Sequence, residues 1–77
     1  MSEKQLLSIR NEIKSYISKS GWTLTQIVDI LNKRHPDSPT TTQNISNKLS
    51  RGTIKYAEVK EIADIIGYQI EWLNKQD

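Results

Sequence analysis

The chain has 77 residues, a formal net charge of +2, 26% charged residues, no cysteine and one histidine. That length holds one domain with a modest core and leaves no room for a cleft between two subdomains. Disulfides and thiolate metal centres are excluded, and His35 alone cannot build a metal site. No apolar run nears the roughly 20 residues of a membrane span and no signal-peptide pattern opens the chain, so a cytoplasmic protein without metal or cofactor is expected.

The spacing of Leu6, Ile9, Ile13, Tyr16 and Ile17 predicts a first helix over about 3–19, with one core-facing stripe. Ser20-Gly21 ends it, Gly21 suiting the left-handed position after a helix. Thr23-Leu24-Thr25-Gln26 then has the capping-box spacing, Thr23 as N-cap and Gln26 three residues on. Trp22 and Ile27 flank that box as a hydrophobic staple would, and Trp22 is read as a core residue. Ile27, Val28, Ile30 and Leu31 supply a broad apolar face for a second helix over about 23–34.

Pro36 and Pro39 break the chain next. The stretch 33–39 is long for the turn of a helix-turn-helix, and the loop around His35 is expected to be solvated. A third helix follows over about 41–50. Its start is ambiguous by a residue or two, because Thr40-Thr41-Thr42-Gln43 again has capping-box spacing and would turn Gln43 into a capping residue.

This third segment is the most informative in the chain. Ile45 and Leu49, four apart, share a narrow apolar side. Gln43, Asn47 and Ser50 point the opposite way, with Asn44, Ser46 and Arg51 on the flanks. A helix needing only solubility would carry Glu and Lys there. Amides that both donate and accept are what base edges in a DNA groove require. The charge agrees: residues 33–55 hold Lys33, Arg34, Lys48, Arg51 and Lys55 against Asp37, a net +4, while residues 56–77 sum to −3.

Gly52 closes the third helix, and a fourth is predicted over about 55–66, with Tyr56, Val59, Ile62, Ala63 and Ile66 inward and Gly67 as the stop. In the tail, 68–77, Tyr68, Ile70 and Trp72 alternate with Gln69 and Glu71. That period of two suggests a strand, and its natural partner is the same strand of a second copy, making Tyr68, Ile70 and Trp72 dimerisation residues. The alternative is a short fifth helix burying Trp72 and Leu73 against the first.

The pattern resembles the Cro/CI-type (lambda-repressor-like, XRE) helix-turn-helix family over Gly21 to Tyr68. Thr23, Ile27, Val28 and Leu31 stand at that family's helix-two offsets. Ile45 matches its central aliphatic residue in helix three, and Gly52 its loop glycine. Ile62-Ala63-Asp64-Ile65-Ile66-Gly67 looks like its helix-four ending. The chain departs from the pattern at Leu24, where Gln is usual; at Val28, where Ala is usual; in the longer turn; and at Ser50-Arg51-Gly52. The resemblance implies an all-α bundle of four helices plus the tail, and a dimeric repressor that inserts helix three in the major groove of double-stranded DNA.

On that reading Gln43, Asn44 and Asn47 contact bases. Arg51 and Lys55 clamp phosphate from either side of the Gly52 loop, and Lys48 reaches phosphate with its ammonium while its stem packs. Thr41, Ser50 and Thr53 add hydroxyl contacts, and Thr23 and Thr25 touch the opposite backbone strand. Arg51 has a second option, an ion pair with Glu58 across the turn. No Ser or Thr has a base partner at a motif spacing, so an enzyme is not expected. A helix-turn-helix scaffold that docks another protein is the competing class, since fold alone does not fix function.

Overall fold

The computed structural model describes the backbone of residues 3–74 and the side chains of residues 10–74. Four helices follow one another: α1 (Glu3–Ser20), α2 (Leu24–Arg34), α3 (Thr42–Arg51) and α4 (Tyr56–Ile65). Within the described residues there is no strand. Both ends of each helix fall within a residue of the sequence expectation. The side chains of Leu6 and Ile9, expected in the α1 stripe, lie outside the described residues, as does the end of the tail.

Local signals set these boundaries. Thr23 is the N-cap of α2: its hydroxyl accepts from the Gln26 backbone N–H at 3.2 Å, and the Gln26 side-chain Oε1 accepts from the Thr23 backbone N–H at 3.0 Å. At α3 the ambiguity resolves to Thr41, whose Oγ1 accepts from the Asn44 N–H at 3.0 Å. Gln43 therefore sits inside the first turn and does no capping. The other end of α3 closes on Gly52 at φ +68°, a left-handed conformation that a β-carbon would strain. Its N–H returns to the Leu49 carbonyl and the next N–H, of Thr53, to Lys48 at 2.9 Å.

Among the described residues the buried core is aliphatic: Ile17 of α1, Ile27, Val28 and Leu31 of α2, Ile45 and Leu49 of α3, and Ile62, Ile65 and Ile66 at the end of α4. Trp22 is partly buried against this cluster, as are Ile13, Leu24, Ile30 and Ile54. Helix α3 packs against both α2 and α1, and α4 packs against α2. Tyr56 is a correction: expected inward, it stands exposed at the first turn of α4, while Ile54 and Ile65 fill the apolar positions instead.

The long α2–α3 connection is pinned at both ends. The Asn32 side chain forms a two-way clamp on Thr40, donating to its carbonyl at 3.0 Å and accepting from its N–H at 2.8 Å. On the other side, His35 Nε2 meets Glu61 of α4 at 2.8 Å, and Arg34 reaches Glu61 and Asp64 at 3.5 and 3.1 Å. The loop expected to be merely solvated is thus exposed but anchored.

Residues 68–74 form neither a fifth helix nor a strand within the chain. The tail instead turns at Gly67 and runs back along the outer row of α4. The Tyr68 ring sits edge-on to Tyr16 of α1 at 5.0 Å, and Trp72 reaches Tyr56, donating from Nε1 to the phenol oxygen at 2.7 Å. The alternation read as a strand has a second physical basis here: Tyr68 and Trp72, four apart in an extended chain, both turn toward tyrosines of the chain's own body.

Candidate nucleic-acid interface

Helix α3 is divided by burial. Ile45 and Leu49 are 1% and 2% exposed, sealed against α1 and α2, which fixes the rotation of the helix about its axis. Gln43, Asn44, Asn47, Ser50 and Arg51 are then held at the surface, while Ser46 and Lys48 are half-buried. All three residues expected at base edges are accessible on one helix.

Two of them are joined. Gln43 Nε2 donates to Asn47 Oδ1 at 3.0 Å, an i,i+4 amide pair lying along the outer face. The pair restrains two long polar side chains before any ligand arrives, and it leaves the Gln43 carbonyl oxygen and the Asn47 amide hydrogens free for other partners. Sequence periodicity placed both residues on one face. Their mutual bond depends on rotamers and was not foreseen.

The N-termini of α2 and α3 come together. The Thr42 hydroxyl lies 3.5 Å from that of Thr25, so Thr23 and Thr25 of one helix and Thr41 of the next border the same edge, all three exposed. Both helices aim their first N–H groups at that end, where the helix dipole favours an anion. At the other end of α3, Thr53 and Lys55 are exposed on the turn beyond Gly52.

The basic segment is less available than its charge suggests. Lys33 pairs with Asp29 at 3.2 Å, and Arg34 is committed to Glu61 and Asp64. Lys48, expected at phosphate, instead donates to Glu58 Oε2 at 2.9 Å. The Arg51–Glu58 alternative is not formed; Lys48 pairs with that carboxylate instead. Arg51 and Lys55 have no carboxylate within ion-pair distance among the described residues. They are the cations free to meet a polyanion beside α3.

Glu58 is the residue that sequence reasoning undervalued. Its second oxygen accepts from the Lys55 N–H at 3.1 Å, so one carboxylate caps the start of α4 and holds Lys48 of α3. Partial burial pushes its pKa up. The Lys48 hydrogen bond, the Lys55 N–H and the charges of both lysines outweigh that, so it lies below the ordinary carboxylate value. A Glu three residues after an N-cap was a readable signal for the first contact. The second joins residues ten apart across a turn.

Among the described residues no helix is long and apolar enough to cross a membrane, and no group of three potential metal ligands converges. Comparison with family models, with curated proteins and with solved structures gave no match, which leaves α3 and its surroundings to carry the functional reading.

Proposed function

We propose that the chain is a sequence-specific DNA-binding transcriptional regulator, a homodimeric repressor in which α2 and α3 act as a helix-turn-helix and α3 enters the major groove. The observation that carries this is the division of α3: an amide-rich, carboxylate-free outer face held in place by two sealed aliphatic residues. Gln43, Asn44 and Asn47 read base edges, the amides suiting adenine, which offers one acceptor and one donor in the major groove. Arg51 and Lys55 take phosphates at one end of the helix, with Ser50 and Thr53 beside them. Thr23, Thr25 and Thr41, at the paired helix N-termini, take phosphate at the other. Lys48 joins the phosphate contacts only by exchanging Glu58 for DNA.

In a two-fold dimer the two α3 helices stand about 34 Å apart, one duplex turn. Selection of bound duplexes from a random pool tests the proposal. A two-fold-symmetric site should be enriched, and its binding should weaken steeply with salt. A pool that emerges unenriched, with binding indifferent to salt, would assign the amide face to a protein partner instead.

A further inference from the structure

The described residues carry one large apolar surface that the fold leaves open. Trp72 and Leu73 are 85% and 83% exposed, and Tyr16, Tyr56 and Tyr68 are between 39% and 48% exposed. They form one strip. Tyr56, Lys60 and Asp64 stand four apart on the outer row of α4, and the tail runs antiparallel beside that row, with Tyr68 and Ile70 facing Lys60 and Asp64 across a shallow groove. Tyr68 continues the strip onto Tyr16 of α1, and Trp72 closes it over Tyr56.

We propose that this strip is the surface through which two copies of the chain associate, face to face about a two-fold axis that passes beside Trp72 and Leu73, which brings the Tyr56 ends of the two strips together at the centre of the contact. The proposal deepens the dimeric part of the reading above, and its test uses no DNA, so the two fail separately.

Area is the first argument. A bared aromatic side chain offers about 150–250 Å², so the five residues leave roughly 500–600 Å² of apolar surface per chain. A standard interface covers about 800 Å² per partner, and in homodimers about 65% of it is apolar. The strip therefore supplies the apolar share that a stable self-contact needs, and it stands at the upper end of the roughly 300–600 Å² of the largest patch usual on a monomer.

Charge is the second. A charged patch that meets its own copy across a two-fold axis is self-complementary only if it carries both signs. Here Lys60 lies over the Tyr56 ring at 5.7 Å, and Glu71 stands exposed on the tail between Ile70 and Trp72. Neither has an ion-pair partner within the described chain. Across a two-fold axis Lys60 of each copy meets Glu71 of the other, twice. The place of Tyr56, directly after the turn that carries Arg51 and Lys55, sets this contact beside one end of α3.

Sedimentation equilibrium of the full chain over a micromolar range reads the outcome. The wild type should pass from an 8.9 kDa monomer to a dimer. Trp72→Ala should raise the dissociation constant about thirtyfold, as loss of a central Trp anchor does. Lys60→Glu and Glu71→Lys should each weaken the dimer severalfold, and the two together should restore it. Unchanged helical circular dichroism confirms that each variant folds, which the exposure of these side chains permits. A wild type that stays monomeric throughout, or a dimer indifferent to Trp72→Ala and Leu73→Ala, overturns the proposal. Restoration absent in the double charge swap overturns the Lys60–Glu71 pairing.

Discussion

Replacing Glu58 by Ala should lower stability and, on the proposed DNA-binding reading, raise DNA affinity as well. The side chain is 27% exposed and makes two charge-assisted contacts, to the Lys48 ammonium at 2.9 Å and to the Lys55 N–H at 3.1 Å. An acidic group at a helix start contributes about 0.3–1 kcal/mol, and a partly exposed ion pair about 0.2–1 kcal/mol. The loss is therefore about 0.5–2 kcal/mol, or roughly 2–16 °C in melting temperature for a domain this small.

The pH dependence adds a sign. Because the folded-state pKa of Glu58 lies below its ordinary value, its contribution is complete above the ordinary carboxylate range and disappears as pH falls through the lowered pKa. Urea denaturation at a series of pH values should show wild type and Glu58→Ala converging in acid and separated at neutrality. Affinity should move the other way. With Glu58 gone, Lys48 is released beside α3, and the slope of log affinity against log salt should steepen by about one unit. A variant equal to wild type in stability at neutral pH, or offset from it by the same amount at every pH, would refute the double role of this carboxylate.

Three further substitutions test other parts of the molecule. Asn47→Ala should weaken a selected site by about 1–3 kcal/mol while leaving random duplex nearly unchanged in competition binding; equal loss on both would make Asn47 a bystander. Arg51→Ala should weaken both duplexes alike and reduce the salt slope by about one unit, and unchanged binding would remove it from the phosphate clamp. Asn32→Ala, which strips both bonds from the Thr40 backbone, should cost about 1–3 kcal/mol in urea denaturation; a cost below 0.5 kcal/mol would mean that the clamp does not hold the loop.

What could be read from the residues alone was what acts over a few positions. The Thr23–Gln26 reciprocal cap, the stops at Gly21 and Gly52, and the pairing of Ile45 with Leu49 are all set within one or two helical turns, and each stands as expected. The outward direction of Gln43 and Asn47, with Asn44 on the flank, followed from the same 3.6-residue period. What escaped were partners chosen by tertiary approach. Lys48 and Glu58 meet across a turn, Asn32 and Thr40 meet across a proline-rich loop, and neither pair has a spacing that local propensity marks. Tyr56 was misplaced because an apolar residue at the first turn of a helix counts toward the periodic stripe, although the core there is already filled from Ile54. The tail shows the limit of a two-residue period: it reports an extended chain with one favoured side, and it does not name the surface that side meets.

The double anchorage of the α2–α3 connection has a practical use. Between the His35–Glu61 and Asn32–Thr40 contacts, only Pro36, Asp37, Ser38 and Pro39 project into solvent, on a bend whose two ends are fixed independently. Lengthening a bend of that kind costs little, because closure entropy grows only with the logarithm of its length. A cysteine at Asp37, in a chain with no thiol of its own, would carry a single fluorophore on a mount anchored at both ends, placed to report the approach of the proposed duplex or second protomer by energy transfer.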